Sequence, residues 1–302
     1  MDLRAKLPDP GQRVFLYGTT PPRLGTAPEA VAQAAGKLAA RLAALPLDGV
    51  VLYDIQDETG RTQLPRPFPF VGTLDPRDYA SHFKQPAIVY KALGKMEEPQ
   101  WRAWLAASKD RVEFLSVVGR PASGVQYALP LSRAIRIAAE SGSFVVGGVV
   151  IAERHDAERS EAARVLAKGL EGCGYFISQT VYHAPPTQGL LRDYLRDCRG
   201  AGTAPKRIIL TFAPCGREKT LAFLRWLGVI VSPDTERAIF GAANPLARSI
   251  EICCDNLRRI LDGPYAGQVP LGINVESVSI NRDEIDASVD LFHALNEVMA
   301  GR

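Results

Sequence analysis

Short Val/Ile-rich runs alternate with helix-like segments along the whole chain, and that alternation leaves few architectures open. The runs lie at residues 14–18, 49–54, 87–90, 112–118, 144–151, 175–179, 207–212 and 271–280. The helix-like segments lie at 28–44, 99–108, 129–141, 159–171, 187–199, 219–226, 246–261 and 282–299. Continuously apolar strands separated by helices pack as a parallel sheet covered on both faces. Eight units without a long unassigned insertion predict a closed α/β barrel, the (β/α)8 or TIM barrel, as one domain over residues 1–302. An open, doubly wound sheet is the alternative. That fold usually carries a glycine-rich phosphate loop, and no Gly-x-Gly-x-x-Gly follows any of these strands. Cys215-Gly216-Arg217-Glu218-Lys219-Thr220 ends like a P-loop but lacks its first glycine.

Composition narrows the partners. A formal net charge of +3 with no Lys/Arg block gives no electrostatic footprint for nucleic acid or an anionic membrane. A small-molecule partner is the expectation, with a homo-oligomer left open. The five cysteines, Cys173, Cys198, Cys215, Cys253 and Cys254, form no Cys-x-x-Cys pair and read as buried free thiols in a reducing compartment. Four histidines without metal-ligand spacing predict no metal site. The N-terminus lacks a signal-like apolar core, and no run of about 18 apolar residues is present. A soluble, cytoplasmic protein is expected. Trp101, Trp104 and Trp226 occupy helical positions and read as packing residues.

In a barrel the chemistry sits at the C-terminal ends of the strands and in the loops that follow. Those positions are polar here: Tyr17 to Arg23, Asp54 to Arg61, Tyr90 and Lys91, Gly119 and Arg120, Glu153 to His155, Gln179 to His183, Ala213 to Gly216, and Asn281 with Arg282. The run from Tyr175 to Ser178 is apolar and then presents one amide, Gln179, as a buried strand does when its end serves a site.

Several of these segments resemble motifs of the methylenetetrahydrofolate reductases, in the same order and with similar spacing over nearly the whole chain. They are Thr19-Thr20-Pro21-Pro22-Arg23, Tyr127-Ala128, Glu153-Arg154-His155, Lys168, Phe176-Ile177-Ser178-Gln179 and Ser279-Ile280-Asn281-Arg282. The resemblance implies hydride transfer between 5,10-methylenetetrahydrofolate and 5-methyltetrahydrofolate, with FAD and either NADH or NADPH. It implies a substrate-binding set of Gln179, Arg282, Phe223 and Tyr17, in which Arg282 contacts the folate. It implies a flavin-side set of Gly119, Arg120, Tyr127, Ala128, His155, Lys168 and Tyr90.

Departures from the family pattern are specific. The family's catalytic glutamate lies three residues before the Pro-Pro pair, where this chain has Gly18. Its Arg-Gly-Asp after the fourth strand becomes Val118-Gly119-Arg120, and its histidine after the third strand becomes Tyr90. Reduction of the methylene bridge needs an acid. Among the acids at the expected mouth, Asp54, Asp57, Glu58 and Glu153, the replacement is expected to be Asp54 or Glu153. Three alternatives remain: a flavin-independent NAD(P)H-dependent folate reductase, a non-catalytic folate-binding or complex-forming subunit, and another folate-dependent enzyme such as a methyltransferase.

Overall fold

The computed structural model describes residues 2–301 except 58–61, 63, 95 and 120–127. Eight parallel strands close into a barrel in sequence order. They are β1 (Phe15–Thr19), β2 (Gly49–Leu52), β3 (Ala87–Ala92), β4 (Phe114–Val118), β5 (Val145–Val150), β6 (Tyr175–Thr180), β7 (Arg207–Phe212) and β8 (Leu271–Glu276). The expected (β/α)8 architecture is the one observed. Each expected run coincides with a strand, although the last is four residues shorter at its C-terminal end than its apolar pattern implies.

The expected helices are α2 (Pro28–Leu42), α4 (Glu98–Ser108), α5 (Leu131–Glu140), α6 (Glu161–Leu170), α7 (Ala184–Gly200), α8 (Glu218–Trp226), α10 (Pro245–Leu261) and α11 (Arg282–Ala300). Three others lacked a clear periodic signature: α1 (Leu3–Lys6), α3 (Pro76–Tyr79) and α9 (Pro233–Phe240). Local chemistry sets the helix starts. Ser160, Ser232 and Asn244 accept from backbone N–H groups in the first turns of α6, α9 and α10, and Glu97 with Gln100 forms a reciprocal capping box on α4.

Side chains alternate between two cores, as the period of a strand requires. Val50, Leu52, Val89, Leu115 and Val117 point outward into the layer shared with the helices. Leu16, Val51, Ile88, Phe114, Tyr175, Ile177 and Ile209 fill the lumen. Large residues there are matched by glycines. A β-carbon at Gly147 would collide with the Tyr175 ring, and one at Gly18 would stand 2.8 Å from Tyr53 Cε2 and closer still to its hydroxyl. The N-terminal end of the lumen is sealed by α1 and by Arg207, whose buried guanidinium donates to the carbonyls of Leu7 at 3.0 Å, Lys6 at 3.1 Å and Leu271 at 2.6 Å, and to that of Asp9. The opposite end, where the strands terminate, is open.

All five cysteines are buried and free. Trp101 and Trp104 are buried as expected and donate to Ala134 O and Asp75 Oδ2. Among the described residues, no helix is long and apolar enough to cross a membrane, and no cluster of ligating side chains could hold a metal ion.

Candidate functional site

A cavity of about 1270 Å³ occupies the C-terminal mouth of the barrel. Its lining draws on the ends of β1, β2, β3, β4, β5, β6 and β8, and on α8. Ligand pockets commonly measure about 300–1,000 Å³, so this one has room for more than a single small ligand.

The floor holds a carboxyl group that the sequence reading did not single out. Glu276 is the last residue of β8 and pairs in register with Gly18 of β1. Its Oε1 accepts from Thr180 Oγ1 at 3.1 Å, and Tyr53 donates a second hydrogen bond. Tyr53 in turn accepts from Asn274 Nδ2 at 2.9 Å, and the same amide nitrogen reaches Thr211 Oγ1 at 3.2 Å. Burial raises the Glu276 carboxyl above its ordinary value, and the hydrogen bonds from Tyr53 and Thr180 oppose it only in part. A carboxyl held in this way keeps its proton to a higher pH than a solvated one, so it can serve as an acid.

The geometry explains Gly18. The Tyr53 ring occupies the space that a side chain at position 18 would need, and its hydroxyl is bonded to Glu276. A carboxyl group on the neighbouring strand therefore stands at the height of Gly18. Two signals obscured it. The apolar pattern carries the last strand on to Ile280, which buries Glu276 in mid-strand, and only the register of a closed barrel brings position 276 beside position 18.

The acids expected to serve instead are placed differently. Asp54 lines the cavity, but it accepts from Ala92 N at 2.9 Å and pairs with Lys91 at 3.3 Å. Burial raises its carboxyl, with the Lys91 charge and the Ala92 N–H pulling the other way. It ties the β2 loop to β3. Glu153 sits on the short turn after β5 and is not part of the lining. Asp57 is exposed, and Glu58 lies outside the described residues.

Of the substrate-binding set, Gln179 and Phe223 line the cavity. The Gln179 amide donates to Leu227 O at 2.6 Å, which orients it and leaves its oxygen to accept from a ligand. Tyr17 also borders the cavity, but its buried hydroxyl is paired with Ser288 on α11 at 2.7 Å. Arg282 is on the outer surface, its side chain 87% exposed and 3.5 Å from Asp286, and it does not line the cavity. The strand ends four residues before the pattern implied, so the turn that follows carries Arg282 away from the mouth.

The flavin-side set is divided between the cavity wall and positions outside it, among the described residues. Gly119, Tyr90 and Lys168 line the cavity. Lys168 spends its ammonium on Val149 O at 2.5 Å and lies 3.8 Å from Glu161, and burial lowers its pKa. His155 is turned to Asp193, Nε2 to Oδ2 at 3.0 Å, outside the lining. Ala128 is exposed and also outside it, and Arg120 and Tyr127 lie outside the described residues.

Fold and cavity together define a (β/α)8 barrel whose open mouth contains a half-buried acid, a fixed amide and an aromatic wall. A solved structure of an uncharacterized protein from Clostridium thermocellum, which binds two copies of 5-methyl-5,6,7,8-tetrahydrofolic acid, is 29% identical to this chain. The match covers 99% of both chains with a TM-score of 0.82. Dihydropteroate synthases are more distant: that of Xanthomonas albilineans is 13% identical over 96% of this chain and 94% of its own, with a TM-score of 0.45. That of Thermus thermophilus is 14% identical over 96% and 95%, also with a TM-score of 0.45. No protein-family model and no curated protein sequence matches the chain.

Proposed function

We propose that this protein binds a reduced folate in the barrel mouth and transfers hydride between 5,10-methylenetetrahydrofolate and 5-methyltetrahydrofolate, with NADH or NADPH as the hydride partner. The observation that carries the reading is Glu276: a half-buried carboxyl with a raised pKa, on the floor of the mouth and in register with Gly18. Two further observations support it. The similar Clostridium thermocellum protein binds two copies of 5-methyl-5,6,7,8-tetrahydrofolic acid, and the cavity here, at about 1270 Å³, is large enough for a folate.

The chemistry asked of these residues is limited. Breaking one C–N bond of the methylene bridge requires a proton on the departing nitrogen, and Glu276 gives it. The one-carbon group is then an iminium carbon and accepts hydride from the dihydronicotinamide ring, which leaves oxidised. In the reverse direction the Glu276 carboxylate takes the proton back. Gln179 presents its amide oxygen to a pterin N–H, and Thr180 and Tyr53 hold the acid in position. A general acid of this kind contributes about 100- to 10,000-fold in rate. FAD, which the resemblance implies, would serve as an intermediate hydride carrier if held along the wall of Gly119, Tyr90 and Lys168.

The test uses the full chain purified without added flavin. With 5,10-methylenetetrahydrofolate and NADH or NADPH, the absorbance of the reduced nicotinamide should fall as 5-methyltetrahydrofolate forms. Turnover that appears only with added FAD would restore the flavin as hydride carrier. Tight binding of 5-methyltetrahydrofolate with no turnover under either condition would make the protein a folate-binding barrel rather than a reductase.

A further inference from the structure

Arg282, the cation expected to contact the folate, faces solvent, but a different cation stands in the cavity wall. Arg66 lies on the loop between β2 and α3 with its guanidinium over the Trp226 ring, 4.5 Å from the centroid, and the Phe70 ring 5.3 Å away. Its Nε and Nη1 are buried and have no hydrogen-bond partner among the described residues. A guanidinium stays charged at any physiological pH, and buried donors without an acceptor are costly. An anion in the cavity that Arg66 lines would balance its charge.

The surroundings say what kind of anion. Phe223 stacks on Trp226 at 5.7 Å and 9°, and Phe68 meets Phe223 edge-on at 5.4 Å. Lys219 places a second cation 4.6 Å above Phe68. This aromatic shelf runs into Leu227, whose carbonyl holds the Gln179 amide. The Gln179 amide thus adjoins an aromatic surface that carries two cations, Arg66 over Trp226 and Lys219 over Phe68. A folate offers matching parts: a pterin for the amide, a benzoyl ring for the aromatic surface and glutamate carboxylates for a cation.

We infer that Arg66 is the specificity-determining residue for the glutamate carboxylate of a bound folate, with the p-aminobenzoyl ring on the shelf of Phe68, Phe223 and Trp226. This rests on the folate reading above. An arginine stacked on an aromatic ring keeps its donor edge free and planar for a carboxylate. A nicotinamide nucleotide's phosphate would offer the same charge, and the experiment separates the two sources.

Binding of 5-methyltetrahydrofolate, of a tetrahydropterin without the benzoylglutamate tail, and of NADH is measured on the full chain and on Arg66→Gln and Arg66→Lys. Arg66→Gln should weaken 5-methyltetrahydrofolate by about 10- to 100-fold, with the other two ligands unchanged and Arg66→Lys intermediate. An unchanged folate affinity, an equal loss on the tail-less pterin, or a loss on NADH instead would each overturn the assignment. A wild-type protein that binds tailed and tail-less pterins equally well would overturn it while leaving the folate reading intact. A wild-type protein that binds neither would remove both. A variant-free arm guards against misfolding: p-aminobenzoylglutamate should displace 5-methyltetrahydrofolate from the wild type where p-aminobenzamide does not, and equal potency would overturn the assignment.

Discussion

Glu276 keeps its proton because burial penalises the carboxylate, and that has a consequence for stability as well as for chemistry. Its value in the folded protein lies above the ordinary 4.5, so as pH rises from there the unfolded chain releases a proton that the native state retains. The native state then binds more protons than the unfolded state, and stability falls as pH rises through the folded value. Glu276→Gln removes this dependence while keeping one oxygen that can accept from Thr180. The stability of Glu276→Gln relative to wild type should therefore rise between pH 5 and pH 8 in thermal melts; a difference independent of pH would contradict the raised carboxyl. Gly18 is the other residue on which the floor depends. In Gly18→Ala the new methyl meets the Tyr53 ring and hydroxyl, which are held by Glu276 and Asn274. Overpacking of that kind costs about 1–3 kcal/mol, to be read from denaturant midpoints. A neutral substitution would mean that Tyr53 is free to move and does not fix the acid.

The elements decide which side chains reach the mouth, and the chain's pattern revealed most of them but not all. Alternating strands and helices gave the barrel because each strand is buried on both faces and each helix on one, a contrast that periodicity records directly. Gln179 was legible for the same reason, as the polar end of an apolar run. Glu276 and Arg66 were not. The run from Leu271 to Ile280 is apolar enough to read as one long strand, yet the ladder stops at Glu276, and residues 277–280 turn across the cavity. Arg66 sits in a Pro-rich loop with no periodicity, and only the folded chain lays it on Trp226. The turn after β8 depends in part on the cap of α11, where Asn281 Oδ1 accepts from Asp283 N at 3.0 Å and Glu284 N at 3.3 Å. Asn281→Ala should cost about 1 kcal/mol of stability. Because residues 277–280 line the cavity, it should also weaken ligand binding. Intact affinity at reduced stability would show that the turn holds its shape without the cap.

At the scale of the whole molecule, the two ends of the barrel do different work. Arg207 and α1 close the N-terminal end with hydrogen bonds to backbone carbonyls, which is a matter of stability. The C-terminal end stays open over a cavity of about 1270 Å³, and that is where the acid, the amide and the aromatic shelf meet. The account places proton transfer on Glu276 and folate binding on the wall around Gln179, so the two should separate in one variant. The most direct measurement compares wild type and Glu276→Gln for both 5-methyltetrahydrofolate affinity and turnover of 5,10-methylenetetrahydrofolate with reduced nicotinamide. Similar affinity and a turnover lower by about 100-fold or more are expected if Glu276 is the proton donor. A Glu276→Gln protein that turns over at the wild-type rate would contradict it.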